Sequence, residues 1–538
     1  MPPLSVAVPA PAGTVPTPTL ELRDGRARLV VDGAPFLVRG AEVHNSAAST
    51  PAASRTSFAT VAAAGADTVL APVTWEALEP AEGRYDLAAV DHVVEAARDA
   101  GLRLVVLWFG AYKNGASSYA PAWVKTDPVR FPRCLDADGR PTATLSPFHD
   151  ATREADARAF ATLVQRIEQV DRDDRTVIMV QVQNEPGLLG CSRDHGPEAE
   201  RLFAAPPPTE VLAACGVAGR PADWSAAFPS GLDADEHLMA WGFARYIDAV
   251  ARAGREHTAL PFFTNAWLDS EIDLPGFALA GGQQPGTYPS GGPVARMLPL
   301  WRAVAPHLDL VVPDVYFGDL DAICSVYADA SGGLFIPEMR RDAQGVGDAF
   351  VAVGSHGAIG VSPFGVDSIT EAEAADLRDG YELLGALGAD LSVAESRGFH
   401  VPPDAGADAH AVLDFGDLQI HAARLASFGE VEPPAQGAFG VVVRLAPDRF
   451  LAVGRGFSLT FHDAAGRTTG LLQVLEHPRS PGAGDGTRPV LRRLNGDETA
   501  GGTAWLHPGR LQQQSPVFPI PMALEHTGVS TCEIYRLG

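Results

Sequence analysis

Between residues 36 and 387 the sequence alternates eight times between a short apolar run and a segment of helical period. The runs are 36–44, 68–73, 104–109, 176–182, 261–266, 308–316, 334–337 and 358–363. They are too uniformly apolar to keep one face in water. Each therefore reads as a strand covered on both sides, the habit of parallel sheets with helical crossovers. The helical segments are 58–64, 87–100, 151–170, 236–253, 294–305, 320–328, 347–353 and 370–387, the last opened by a capping-type start, Ser368-Ile-Thr-Glu. Eight such pairs fit an α/β chain closed into a (β/α)8 TIM barrel. A doubly wound open sheet fits less well, because no GxGxxG follows the first strand.

The flanks read differently. Residues 1–20 are proline-rich and lack the basic start and apolar stretch of a signal peptide, so they read as a disordered lead-in. The barrel is expected over 21–395 and starts with a short hairpin at an Asp-Gly turn. Residues 396–405, with Pro402-Pro403, read as a linker. From 406 to 538 the pattern changes to short alternating runs at 411–414, 418–423, 439–444, 450–453, 458–461, 470–474, 490–494 and 504–507. Separated by Gly, Pro and Asp turns, they predict a C-terminal all-β sandwich or jelly-roll domain. The Gly-rich stretch 482–486 lies between β runs and reads as a solvated loop rather than a phosphate cradle. Two long segments, 109–150 and 184–236, follow strands and precede helices, which is where a barrel builds its active site.

Composition excludes several function classes. Lys and Arg total 41 against 66 Asp and Glu, a formal net charge of −25. Such a chain is repelled by phosphate backbones and anionic lipid, so neither a nucleic acid nor a membrane is an expected partner. No stretch approaches the roughly 18 apolar residues of a membrane span. The five cysteines are scattered without CxxC spacing, arguing against a disulfide framework and a zinc site. His44, His149 and His195 share no ligand spacing, so no metal and no cofactor is expected. A reduced, cytoplasmic protein is the simplest reading, although a secreted chain trimmed of its signal would look the same. Barrel enzymes of this size are often oligomers, which leaves a homo-oligomer open.

The chemistry lies at two strand ends. The fourth strand closes with Gln-Asn184-Glu185-Pro and the seventh with Pro-Glu338-Met. Two carboxylic acids at one rim of a barrel are what glycoside hydrolysis needs: one protonates the departing oxygen, the other attacks or stabilises the oxocarbenium-like carbon. Strand-end carboxylates also cap helices, so a single Glu would carry little weight. The pair of motifs carries more.

This pattern resembles the retaining glycoside hydrolases that hold the acid/base on strand four and the nucleophile on strand seven. Within that clan it is similar to family 35, the β-galactosidases. The stretch FLVRGAEVHNSA…FATVAAAGADTVLAPVTWEALEPAEGRYDL carries the resemblance, through Trp75, Glu79, Pro80, Gly83, Tyr85 and Asp86. It covers about residues 30–370 and implies Glu185 as general acid/base and Glu338 as nucleophile. It further implies hydrolysis of a terminal β-linked, galactose-like sugar or glycoconjugate by double displacement. The carboxyls should then lie about 5–5.5 Å apart. Glu185 should titrate high, with Glu338 ionised. One departure touches the sugar. Where the family places an Ala-Glu-Trp segment after the third strand, this chain has Lys113-Asn114. The same mechanism on a glucoside, fucoside, arabinoside or plant glycoconjugate is therefore an alternative, and so is a non-hydrolytic carbohydrate-binding protein. The C-terminal module is also unlike the galactose-binding-like domains of large family members.

Rare residues point to the same rim. Of five asparagines, Asn45, Asn114, Asn184 and Asn265 fall at the ends of strands one, three, four and five. Asparagine offers two donors and an acceptor to sugar hydroxyls, and it also tolerates tight turns. Lys113, one of two lysines, lies among them as a solvated residue or as a cation for an acidic or extra-hydroxylated sugar. Trp75, Trp267 and Tyr316 are candidate sugar platforms, with Tyr112, Tyr119 and Trp123 nearby. Trp108 suits the core equally well. Tyr316 is placed to hydrogen-bond Glu338. His44 is a sugar contact or a satisfied structural histidine, and Arg340 and Arg341 either pair with Glu338 or start the next helix.

Overall fold

A computed structural model describes the chain except residues 1–14, 24–25, 271–281, 407, 426–436, 483–486 and 510–525. Most of the expected lead-in and of the Gly-rich loop at 482–486 lies outside the described residues. Thr19–Arg23, at the end of that lead-in, is a strand paired with Arg26–Val31. The second hairpin turn is built on Asp32 and Gly33, both at positive φ, the backbone that an Asp-Gly pair supplies most easily.

Eight parallel strands form the barrel: β1 (Val38–Glu42), β2 (Thr68–Thr74), β3 (Arg103–Lys113), β4 (Val177–Asn184), β5 (Phe262–Ala266), β6 (Leu310–Pro313), β7 (Ile336–Met339) and β8 (Gly360–Pro363). Neighbours pair from β1 through β6, β8 pairs with β1 and with β7, and a parallel bridge between Val315 and Met339 joins the remaining edges. The helices around it are α1 (Pro51–Ala63), α2 (Ala88–Asp99), α3 (Asp150–Val170), α4 (Asp233–Arg255), α5 (Leu298–Val304), α6 (Leu320–Ser331), α7 (Ala343–Gly354) and α8 (Glu371–Leu387). Inside, Val38, Leu70, Val105, Leu107, Phe109, Met179, Phe263, Leu310 and Phe335 pack into one apolar cluster. Ala27, Leu29 and Val31 of the N-terminal hairpin belong to it and close the bottom. The interior is therefore a packed core, and polar chemistry is confined to its upper end.

Element ends differ from the sequence reading for local reasons. Helix α1 starts seven residues earlier than 58 because Thr50 caps it, accepting from the Ala53 N–H at 3.2 Å, with Pro51 in the first turn. Strand β3 runs on to Lys113, beyond the apolar stretch that announces it. Segment 294–305 is a 3₁₀ turn, Ala295–Met297, followed by α5. At α8 the capping box uses Thr370 and Glu373.

The C-terminal region is two antiparallel sheets. Its strands are β9 (Glu395–Val401), β10 (His410–Asp414), β11 (Leu418–Arg424), β12 (Ala438–Ala446), β13 (Arg449–Arg455), β14 (Phe457–Asp463), β15 (Thr468–Glu476), β16 (Arg492–Leu494), β17 (Trp505–His507) and β18 (Val529–Leu537). One sheet runs β9-β12-β13-β18-β15-β16 and the other β10-β11-β14-β17. Both feed one core that includes Phe399, Leu418, Val442, Phe450, Leu459, Phe461 and Trp505, which makes them a sandwich. The expected linker is corrected here: its first half is β9, fully paired with β12. Gly398 permits this, since a Cβ there would lie 2.0 Å from the Phe350 carbonyl oxygen on α7. The outer face of this sheet shares the barrel's core, with Phe439 against Phe350 at 4.8 Å between ring centres. A buried cluster ties the two parts together: Asp379 of α8 accepts from Arg455 at 2.7 Å and from Arg479 at 2.8 Å.

Candidate active site

Strand β4 ends in a distorted turn. Gln183 and Glu185 both have positive φ, 64° and 43°. For residues with a Cβ that conformation costs about 1–3 kcal/mol each and persists only where the surroundings hold it. Here they do. Gln183 turns outward, accepting from the Tyr112 N–H at 2.9 Å and donating to Asp156 at 2.7 Å. The Glu185 N–H donates to Asn265 Oδ1 at 2.9 Å, and its carbonyl accepts from the Gly115 N–H at 3.1 Å. The distortion fixes the Glu185 carboxyl over the barrel axis.

Glu338, on β7, stands opposite. Its Oε1 accepts from Asn184 Nδ2 at 2.8 Å and from Asn265 Nδ2 at 3.3 Å. Its Oε2 accepts from the Tyr316 hydroxyl at 3.0 Å. Lys113 Nζ lies 3.9 Å from Oε1 and 4.7 Å from the centre of the Phe109 ring. Donors converging on two oxygens, with an ammonium beside them, are the environment that stabilises a carboxylate anion. Burial works against the Lys113 charge, but Glu338, Glu42, Glu185 and Asp314 outweigh it and hold the ammonium above its ordinary range.

A third carboxyl belongs to this site and was not anticipated. Asp314, just past β6, accepts from Asn265 Nδ2 at 2.7 Å and shares a hydrogen bond with Glu185. One oxygen each from Glu185, Asp314 and Glu338 lie within 4.8 Å of one another. Among the described residues these three are the one set spaced to surround a cation. Burial, followed by the charge of Glu338, pushes Glu185 up to about 8. Asp314 is driven well above the carboxylate range by burial and by Glu338 and Glu185. The site thus sets two carboxyls whose charged forms burial disfavours beside a third that accepts from Asn184, Asn265 and Tyr316. The sequence signal for Asp314 was a lone acidic residue ending an apolar strand run, LVVPD.

The other expected site residues divide. Asn184, Asn265, Lys113 and Tyr316 meet at the carboxylates as described. His44 is half-exposed at the rim, its backbone and ring nitrogens both on Asp367 Oδ1, at 2.9 and 2.8 Å. Asn45 sits beside it with Oδ1 buried and without a partner among the described residues. Trp267 is partly buried just beyond β5. Two expectations are corrected. Trp75 is fully buried in the outer core, its indole donating to Glu79 at 2.8 Å, so its ring packs and does not face a ligand. Asn114 is an exposed turn residue at φ 52°, the tight-turn role of asparagine. Trp108 is core, bonded to Asp156 at 2.8 Å. Arg340 pairs with Asp342, and Arg341 with the Gly365 carbonyl and with Ser368; neither bonds Glu338.

Residues 28–214 match the family model Glycosyl hydrolases family 35, in agreement with the resemblance carried by the first two strands. The match includes Glu185 and ends before Glu338. Residues 377–505 match a Domain of unknown function (DUF5597). No curated protein matches the chain. Among solved structures, it is similar to the β-galactosidase from the psychrophilic Marinomonas ef1, with 13% identity and a TM-score of 0.45 over 65% of this chain and 59% of that one. For the β-galactosidase from Bacillus circulans sp. alkalophilus the figures are 14%, 0.46, 67% and 58%. For the catalytic domain of β-amylase from Paenibacillus polymyxa they are 13%, 0.46, 62% and 94%. The chain therefore spans less than two thirds of either β-galactosidase.

Proposed function

We propose that this protein is a retaining exo-β-glycosidase, β-galactosidase-like, that hydrolyses a terminal β-linked sugar. The observation that carries the reading is the pair of facing strand-end glutamates: oxygens within 4.8 Å, one carboxyl protonated near neutral pH, the other ringed by donors. Oxygens this close are compatible with the carboxyl separation of about 5–5.5 Å that double displacement uses. In the first step a Glu338 oxygen bonds to the anomeric carbon. The glycosidic bond breaks, and its oxygen leaves with the Glu185 proton. In the second step Glu185, now a carboxylate, takes a proton from water. The water oxygen bonds to the anomeric carbon and the ester to Glu338 breaks, returning both residues to their starting forms. Asn265 and Asp314 orient Glu185, while Asn184, Tyr316 and Lys113 stabilise Glu338.

The test is a panel of aryl β- and α-glycosides with wild type and Glu338→Gln side by side. Preference for the β-galactoside and a loss of about 10³-fold or more in the variant support the reading. A protein that cleaves no glycoside overturns it. The buried Lys113 beside Glu338 favours a second reading, in which the mechanism stands and another β-glycoside is preferred in the panel.

A further inference from the structure

Asp156, on α3, is a buried acid that the scheme above leaves unused. It is completely buried and collects four donors. Its Oδ1 accepts from the Trp108 indole at 2.8 Å. Its Oδ2 accepts from the Ala111 N–H at 3.0 Å, the Gln183 amide at 2.7 Å and the Tyr246 hydroxyl at 3.0 Å. Burying a carboxyl is costly, so a folded protein keeps one where its hydrogen bonds are needed. Here two of the donors, Ala111 and Gln183, belong to the ends of the strands that lead into the reaction centre.

Strands β3 and β4 lose register just below the site. Trp108 pairs with Val182 and Lys113 with Asn184, so residues 109–112 of β3 stand against Gln183 alone. Such a bulge leaves backbone N–H groups without ladder partners. Ala111 gives its N–H to Asp156 and Tyr112 gives its N–H to Gln183 Oε1 at 2.9 Å, while Asp156 holds the other end of that same amide. Gly110 sits inside the cluster: a Cβ there would lie 2.4 Å from the Trp108 indole nitrogen and 2.5 Å from Asp156 Oδ1. Directly beyond the bulge comes Lys113, 3.9 Å from Glu338. Directly beyond Gln183 come Asn184, bonded to Glu338, and Glu185.

We propose that Asp156 is a positioning residue: by holding the β3 bulge and the outward turn of Gln183, it sets Lys113, Asn184 and Glu185 against Glu338. The proposal rests on the glycosidase reading. Gln183 and Glu185 both have positive φ, so without the clamp the end of β4 relaxes toward ordinary extended backbone. Side chains alternate faces along a strand, so relaxation at Gln183 redirects the residues that follow it. Glu185 then stands farther from Glu338 and nearer to water, and its proton no longer meets the departing oxygen. Glu338 keeps its bonds from Asn265 and Tyr316, which come from β5 and from beyond β6. Proton delivery therefore suffers most.

The experiment compares wild type, Asp156→Ala, Asp156→Asn and Tyr246→Phe on an alkyl and a dinitrophenyl β-glycoside of the sugar that wild type prefers. The dinitrophenyl group departs without a proton, so the ratio of the two rates reports Glu185 and is blind to the fraction of protein folded. Asp156→Ala should lose about 10²-fold in kcat on the alkyl glycoside and less than about tenfold on the other, with KM within about threefold of wild type. Asp156→Asn keeps an oxygen for the strand donors and should recover about tenfold of the alkyl loss. Tyr246→Phe removes a donor that comes from α4 and not from the strands, so its rate ratio should stay within about twofold of wild type. Should Asp156→Ala fail to fold, Gln183→Met cuts the same link from the strand side and should show the alkyl-selective loss. An equal loss on both glycosides, wild-type kinetics in the Asp156 variant, or an alkyl-selective loss in Tyr246→Phe each overturn the proposal. If wild type cleaves no glycoside, the glycosidase reading has failed separately, and the titration of Glu185 by ¹³C NMR then decides. Glu185 faces Glu338 from β7, Lys113 from β3, Asp314 from beyond β6 and Glu42 from β1, and Gln183→Met leaves all of these charges in place. Burial and then Glu338 hold Glu185 high, so in Gln183→Met it should titrate about 0.5–1 pH unit lower than in wild type. A Glu185 that titrates at the same pH in both proteins overturns the role.

Discussion

Replacing Glu338 with Gln removes one negative charge from beside Glu185 and should lower the pH at which Glu185 ionises. The geometry sets the size. Two unit charges about 5 Å apart at an effective dielectric of about 20 repel by about 3.3 kcal/mol, or about 2.4 pH units. Lys113 offsets part of that repulsion, so the expected fall is about 1–2.5 pH units. The starting point is a wild-type Glu185 pushed up to about 8, with burial as the larger cause. Burial is unchanged in the variant, so Glu185 should still titrate above an ordinary glutamate. Carboxyl titration by infrared difference spectroscopy or by ¹³C NMR, with Glu185→Gln to assign the signal, reads both proteins directly. The same loss of charge occurs when Glu338 becomes an ester in the first step. Glu185, having given up its proton, then stays ionised as a carboxylate that can take a proton from the incoming water. A Glu185 signal at the same pH in wild type and Glu338→Gln would refute the coupling, and with it this account of how one residue serves both steps.

Other outcomes follow from the same contacts. Activity should decline on the alkaline side near pH 8 as Glu185 loses its proton, and a profile flat to pH 10 would contradict the acid role. Glu185→Ala should lose more than about 10²-fold on alkyl-type leaving groups but far less on dinitrophenyl glycosides, which depart without a proton. Tyr316→Phe removes the hydroxyl donated to Glu338 at 3.0 Å and should cost about 10–10²-fold in kcat/KM, as expected for a hydrogen bond to a charged group. Asp379→Ala strands Arg455 in the interface between α8 and the sandwich, so stability should fall by about 3–5 kcal/mol, measured by calorimetry or denaturant titration.

The barrel was legible in the sequence because strands buried on both faces are apolar throughout and stand out from the helical segments between them. Their upper ends are harder to read: Lys113 and Asn184 are polar residues that continue strands, and both side chains meet Glu338. Residues 396–401 read as part of a linker because Ser396 and Arg397 break an apolar run, while pairing with β12 and the close approach to α7 make them strand. Glu185 and Glu338, the two glutamates proposed as catalytic, are legible from their strand-end motifs. Asp314 is not, since it is a single acid just past an apolar strand and its part depends on which neighbours the closed barrel brings opposite it. Trp75 and Asn114 show the converse. Both lie at a strand end, yet one side chain turns into the outer core and the other out to solvent, a matter of local direction that spacing does not encode.

In the proposed mechanism Glu338 forms a covalent bond to the sugar while Glu185 supplies the proton. An activated 2-deoxy-2-fluoro β-glycoside of the preferred sugar slows the second step and traps that intermediate. Peptide mass analysis should then find one fluorosugar on Glu338, with the released sugar of the normal reaction appearing first as the β-anomer by ¹H NMR. A label on another residue, or initial release of the α-anomer, would contradict the assignment.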